Sequence, residues 1–378
     1  MKVYLDNAAS TPVFKEVVEA MLPWFTENYG NPSSIHSPGR TGKAQIEQAR
    51  KVIAQGLNAS LGEIFFTSGG TEASNAIIKG VVRDLGVKHI VTSPIEHHCV
   101  LHSVSAVCRD QSVSSTMVAI SPDGRPDLND LRDILKKSPE RTLVSLMHAN
   151  NELGCLLDLN TTGQICHEFG AYFHSDSVQT MAHLPINVQQ IPVHFLTSSA
   201  HKYHGPKGVG FMYINEDISL HPYLDGGSQE RNMRGGTENV AGITGLAKAW
   251  AMWTDQGLSW KAGIQKLKSY MWEQLQTIIP GVSLNGVEPG EHSLYTILSV
   301  SFPPHPKNEL LLLLLDIAGI AASGGSACTS GAEASSHVLD GIGADPDRKT
   351  IRFSFSVQTN QEEIDFTLQT LKKIYVLE

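Results

Sequence analysis

Lys202 stands four residues beyond Ser198, in Ser198-Ser199-Ala200-His201-Lys202, which directly follows a short β-rich run, Phe195-Leu196-Thr197. A lysine at such a strand end can form a Schiff base with a carbonyl compound. Other strand-like runs are followed by reactive groups as well. Ile64-Phe65-Phe66-Thr67 leads into Ser68-Gly69-Gly70-Thr71-Glu72, and Ile90-Val91-Thr92 into Glu96-His97-His98. Leu143-Val144-Ser145-Leu146-Met147 leads into His148-Ala149-Asn150-Asn151-Glu152, and Tyr172-Phe173-His174 into Asp176 and then Gln179. In an open α/β sheet, ligands bind beyond the carboxyl ends of the strands, so these loops belong together.

Taken singly, each feature has a plain structural explanation. Gly69-Gly70-Thr71 is an ordinary strand-to-helix turn, Asp176 caps a turn, His201 and His204 are satisfied polar groups, and Lys202 and Lys207 are surface lysines. A metal site at His97-His98-Cys99 is a weak reading, because adjacent ligands seldom converge on one ion. Taken together, the groups fit one cofactor, pyridoxal 5'-phosphate (PLP). Glycines let backbone N–H groups approach a phosphate at a helix N-terminus. A lysine forms the Schiff base, a carboxylate keeps the pyridine nitrogen protonated, and a flat group stacks on the ring.

The elements that must position these groups alternate between short strands and helical stretches. Residues 43–57 place Ile46, Ala49, Val52, Ile53 and Leu57 on one face, with Asn58 as the stop. Such alternation predicts an α/β domain with a mainly parallel sheet covered on both faces. After about residue 255 the composition shifts, and residues 258–280 predict one long amphipathic helix. The expected division is a large domain over 14–255 and a smaller α+β domain from 1–13 and 256–378. The apolar run Leu310 to Leu315 predicts a buried helix, since Asp316 ends it far short of a membrane span.

The whole chain sets further bounds. Its 378 residues carry 29 Lys+Arg against 38 Asp+Glu, a net charge of −9. An acidic chain without a dense basic block is poorly suited to nucleic acid or an anionic membrane. A small molecule or a protein partner fits better. Asp6 interrupts the apolar start, so no signal peptide is expected. The cysteines Cys99, Cys108, Cys155, Cys166 and Cys328 form no CxxC pair, and a cytoplasmic protein with reduced thiols is expected.

At Ser199-Ala200-His201-Lys202-Tyr203-His204-Gly205-Pro206-Lys207-Gly208 the sequence resembles the cysteine desulfurases, in the class V branch of fold-type I PLP enzymes. The likeness runs nearly end to end. It takes in Tyr4-Leu5-Asp6-Asn7-Ala8-Ala9, Tyr29-Gly30-Asn31-Pro32-Ser33-Ser34, Arg234-Gly235-Gly236-Thr237 and Ser323-Gly324-Gly325-Ser326-Ala327-Cys328-Thr329-Ser330. The last segment resembles the desulfurases whose cysteine sits on a longer Ser/Gly-rich loop.

The resemblance implies a role for each residue. Lys202 would carry PLP, Asp176 pair with the pyridine nitrogen, His97 stack on the ring and assist proton transfer, and Gln179 bond the ring oxygen. Gly70, Thr71, Ser199 and His201 would hold the phosphate, with Thr237 reaching it from the other subunit of a homodimer. Asn151 and Arg352 would grip the carboxylate of L-cysteine, a bidentate task suited to guanidinium. Arg352 lies in the apolar run Ile351-Arg352-Phe353-Ser354, where an unpaired charge is costly, so a ligand partner is expected. Cys328, as thiolate, would take the substrate sulfur as a persulfide, leaving alanine, and pass it to an acceptor protein for iron–sulfur cluster assembly or tRNA thiolation. Departures from the family pattern include Gly70 in place of alanine, with no harm expected, and Gly235 in place of serine. Cys99 reads as a packed residue, and no C-terminal extension for docking a scaffold follows Leu377-Glu378. The competing readings are a class V aminotransferase or selenocysteine lyase, and a PLP-fold scaffold without activity.

Overall fold

The computed structural model describes residues 1–324 and 336–375. Its centre is a seven-stranded sheet. From one edge to the other the strands are Ile64–Thr67, Gly210–Ile214, Phe195–Ser199, Tyr172–Asp176, Thr142–Ser145, His89–Thr92 and Ser114–Met117. Gly210–Ile214 runs antiparallel to both neighbours, and the remaining pairings are parallel. Every residue of Ile64–Thr67, His89–Thr92, Thr142–Ser145 and Phe195–Ser199 is buried, as expected where helices cover both faces. The loops after Thr67, Thr92, Ser145, Asp176 and Ser199 therefore open on one edge of the sheet.

Two strands of this sheet are absent from the sequence reading. Ser114–Met117 is an edge strand with a mostly exposed polar pattern, so no apolar run announces it. Gly210–Ile214 is buried throughout and is antiparallel, outside the strand–helix alternation that betrayed the others. Gly210 allows a close approach there: a Cβ at this position would lie 2.2 Å from the Ser198 carbonyl oxygen and 2.8 Å from Gly69 Cα.

Helix Ser37–Leu57 contains the expected stretch and ends at Asn58 in the left-handed conformation (φ 55°). The long helix is much longer than its amphipathic part. It runs from Val240 to Ile278, with Asn239 accepting from the Gly242 N–H at its start. From Ala241 to Trp253 most of its residues are buried, so no polar face marks the turn period in the sequence. Residue 255 lies inside this helix.

A three-stranded antiparallel sheet, Lys349–Ser354 beside Ile297–Phe302 beside Ser283–Leu284, forms the core of the C-terminal part. Val3–Tyr4 pairs in parallel with Ile320–Ala321. The leucine run forms helix Leu311–Ile317, but it is not a buried helix: Leu311 and Leu315 face the core, while Leu310, Leu313 and Ile317 are exposed. One side packs and the other meets solvent. Among the described residues, no helix is long and apolar enough to cross a membrane.

Candidate active site

A cavity of about 410 Å³ opens at the carboxyl edge of the large sheet, against the C-terminal part of the chain. Its phosphate-like end is built by the turn before helix Gly70–Leu85. Gly69 takes φ +147°, which favours glycine, and as N-cap it has no side chain to cover the first helical N–H groups. Gly70 and Thr71 line the cavity from this turn, Ser199 from the end of its strand, and His201 from the short 3-10 turn Ala200–Lys202. A Cβ on residue 70 would lie 2.6 Å from Val178 Cγ2, so Gly70 and Val178 pack as a pair. Burial, with Lys202 and Lys207 nearby, lowers the His201 imidazole to about 4. As a neutral ring, its Nδ1 sits 3.3 Å from Ser10 Oγ.

Asp176 projects from the end of Tyr172–Asp176. Its Oδ1 accepts from the Val178 N–H (3.0 Å) and Thr197 Oγ1 (3.2 Å), while Oδ2 faces Cys99 Sγ at 4.0 Å. His97 is the N-cap of helix His98–Asp110, its Nδ1 accepting from the Cys99 N–H at 3.2 Å. Burial lowers the His97 pKa, and Lys202 adds to that lowering, while Asp176 opposes it. Lys202 Nζ donates to the carbonyls of Ala8 (2.6 Å) and Ala9 (3.0 Å), and Gln179 Nε2 donates to Ala8 at 3.1 Å. The segment around Ala8 thus lies against both the lysine and the glutamine.

Arg352 closes the far end. Its Nη1 donates to the Asn151 carbonyl at 2.8 Å and its Nη2 to Asp6 Oδ1 at 2.8 Å. The expectation of a ligand as the arginine's partner is therefore incomplete, because a protein carboxylate already holds one nitrogen. Of the residues that line this cavity, Arg352 and Asn151 each keep a buried polar atom, Nε and Oδ1, without a partner among the described residues. Ser323 Oγ also donates to Asp6 Oδ1, at 2.8 Å. Glu152 accepts from Ser336 Oγ at 2.5 Å, and burial raises its pKa.

The cavity brings together Gly70, Thr71, His97, Asn151, Asp176, Gln179, Ser199, His201, Lys202 and Arg352. Thr237 lines a different, smaller pocket with Arg234 and Glu238. Cys328 lies outside the described residues. The sequence reading passed over Ala8, Ala9, Val178 and His337 as lining groups, and Asp6 as the partner of Arg352. Small apolar residues carry no chemical signal, and the Asp6–Arg352 contact joins positions 346 apart.

The donor set fits PLP. It offers a helix N-terminus and glycine turn for a dianion, a lysine amine, an acceptor carboxylate flanked by imidazole, and an unsatisfied donor and acceptor at Arg352 and Asn151. With the sheet order, this defines the class: PLP enzymes of fold type I.

The chain belongs to the aminotransferase class-V family, whose model matches residues 3–366, and within it to the cysteine desulfurases. It is 42% identical to cysteine desulfurase IscS of Dictyoglomus turgidum, over 99% of this chain and 94% of that protein. The identity to cysteine desulfurase IscS of Methanosarcina thermophila is also 42%, over 98% of this chain and 91% of that one. Among solved structures, a NifS-like protein superposes with a TM-score of 0.91 at 34% identity, covering 99% of both chains. A structure described as SspA in complex with cysteine has a TM-score of 0.83 at 30% identity, covering 95% of this chain and all of that one.

Proposed function

We propose that this protein is a PLP-dependent cysteine desulfurase in which Lys202 holds the cofactor and Cys328 accepts the sulfur. The observation that carries the reading is the convergence of Lys202, Asp176, His97 and Arg352 on one cavity, beneath the Gly69-Gly70-Thr71 turn. Bound PLP supplies an electron sink for breaking bonds at the substrate's α and β carbons. Asp176, fixed by Val178 and Thr197, keeps a proton on the pyridine nitrogen. The Lys202 amine, once displaced, moves protons at the substrate. Arg352, with its Nε still unpaired, and Asn151 grip the carboxylate of L-cysteine.

Sulfur transfer needs no oxidant. The Cys328 thiolate attacks the substrate sulfur, an S–S bond forms as the C–S bond breaks, and the released carbon takes a proton to give L-alanine. The enzyme is left with a persulfide, to be handed to an acceptor protein in iron–sulfur cluster assembly or tRNA thiolation. Cys99 is no substitute, because burial pushes its thiol to about 12 and Asp176 adds to the rise. Thr237, in a pocket away from this cavity, reaches the phosphate of the neighbouring subunit in a cytoplasmic homodimer.

The test pairs two substitutions with one chemical tag. Cys328→Ser should bind PLP and show the spectral change on mixing with cysteine, yet release alanine at least about a hundredfold more slowly. Cys99→Ser should keep most activity. Borohydride reduction followed by peptide mapping should place the pyridoxyl group on Lys202. A tag on Lys207, or an active Cys328→Ser beside an inactive Cys99→Ser, would overturn the assignment.

A further inference from the structure

Glu96 lies between strand His89–Thr92 and helix His98–Asp110, one residue before His97, and is 1% exposed. Its Oε1 accepts from Ser93 Oγ at 2.8 Å and from the Met147 N–H at 3.0 Å. Its Oε2, equally buried, meets no donor among the described residues. The Glu96 carbonyl pairs with His337 Nε2 at 2.9 Å, and the Ile95 carbonyl accepts from Asn150 Nδ2 at 2.9 Å. The carboxyl thus fastens the loop that carries His97 to the loop that carries Asn151.

A carboxylate with one oxygen bare inside a protein has lost its hydration without replacement, and the neutral acid avoids that cost. The ionisable groups around it do not change this balance. Asp176 faces it from the end of strand Tyr172–Asp176, two places along the sheet, Cys99 from the following helix, and His97 and His337 flank its backbone. None is a lysine or arginine, and the nearest charge is of the same sign.

We propose that Glu96 is a positioning residue that acts as a neutral acid, holding His97 against the Asn151 loop and sparing Asp176 a second carboxylate charge at its side. Burial, which pushes the Glu96 carboxyl up to about 8, agrees with this, and the Met147 and Ser93 donors only partly offset it. Ionisation above that value sets two negative charges together and loosens the His97 loop. The inference rests on the cavity being the PLP site, but the state of the carboxyl can be read without the cofactor.

Infrared difference spectra of the apoprotein, parent minus Glu96→Gln, read that state directly. A protonated-carboxyl band is expected at about pH 6.5, vanishing by about pH 9.5. In the holoenzyme, Glu96→Gln keeps the shape without the charge. Alanine release should stay within about threefold of the parent at neutral pH, and the parent's loss of PLP affinity and kcat above about pH 8 should be at least halved. Glu96→Met, also uncharged, should likewise lose the alkaline limb while kcat falls about tenfold, because Ser93 and Met147 lose their acceptor. It decides the matter if the Gln variant does not fold. A parent without the infrared band, or uncharged variants with the parent's alkaline limb, would overturn the proposal. A parent with the band and PLP affinity as expected, but no alanine from cysteine, would sink the desulfurase reading and leave this one standing.

Discussion

Arg352 Nη2 donates to Asp6 Oδ1 at 2.8 Å, and the arginine side chain is 3% exposed. The guanidinium is therefore partly neutralised before a substrate arrives, and Nε is the nitrogen left for new contacts. Asp6→Ala would strip a buried cation of its carboxylate. It should lower stability by about 3 kcal/mol, read as a fall in Tm. Arg352→Lys should raise KM for cysteine at least about tenfold, because an ammonium cannot hold Asp6 and the Asn151 carbonyl and still present a further planar N–H to the substrate. A lysine variant with unchanged KM would remove Arg352 from substrate binding.

Gly70 and Val178 make a second coupled pair. The family pattern has alanine where this chain has Gly70, but a Cβ at residue 70 would fall 2.6 Å from Val178 Cγ2, on a stiff β-branched side chain. Gly70→Ala should weaken PLP binding about tenfold by shifting the phosphate turn. Val178→Ala should restore most of it in the double variant. Equilibrium titration of the apoproteins with PLP measures both, and additive effects would mean that the two positions are not in contact.

Lys268 gives stability a pH dependence of definite sign. Its ammonium is 1% exposed, donating to Ser293 Oγ and, at 2.8 Å, to the Leu294 carbonyl. Burial lowers its pKa from 10.5 to about 7. Between these values the unfolded chain holds a proton that the folded chain has released. Lys268 therefore makes stability rise as pH increases across that window, by up to about 1.4 kcal/mol per pH unit. Lys268→Met should remove this contribution, so that calorimetric Tm values at about pH 7 and pH 9 lie closer together than in the parent. An unchanged difference would mean that Lys268 is not the responsible group.

Most of the site was legible because its chemistry sits at strand ends. Short apolar runs such as Ile64-Phe65-Phe66-Thr67 mark buried strands, and a polar cluster after each marks the open edge. Lys202, Asp176 and His97 were found in this way. What stayed hidden lacked either a period or a local partner. The first part of helix Val240–Ile278 is buried on nearly all sides and shows no stripe. The leucine run looked uniformly internal because hydrophobicity does not say which side of a helix meets water. Asp6 looked like a break in an apolar segment, since its arginine lies at the other end of the chain.

Residues 3–11 reach the site from the opposite end of the sequence. Asn7 Nδ2 donates to the Ser354 carbonyl at 2.8 Å, Ser354 Oγ accepts from the Ala8 N–H at 2.8 Å, and Thr11 Oγ1 donates to the His201 carbonyl at 2.9 Å. During synthesis at about 5–20 residues per second, these residues emerge tens of seconds before the strand that ends at Ser354. Until then the carbonyls that receive Lys202 have no fixed place. Cofactor capture is thus an event of the finished chain, and a ribosome stalled before Lys349–Ser354 would hold a nascent protein with its lysine present and its pocket unbuilt.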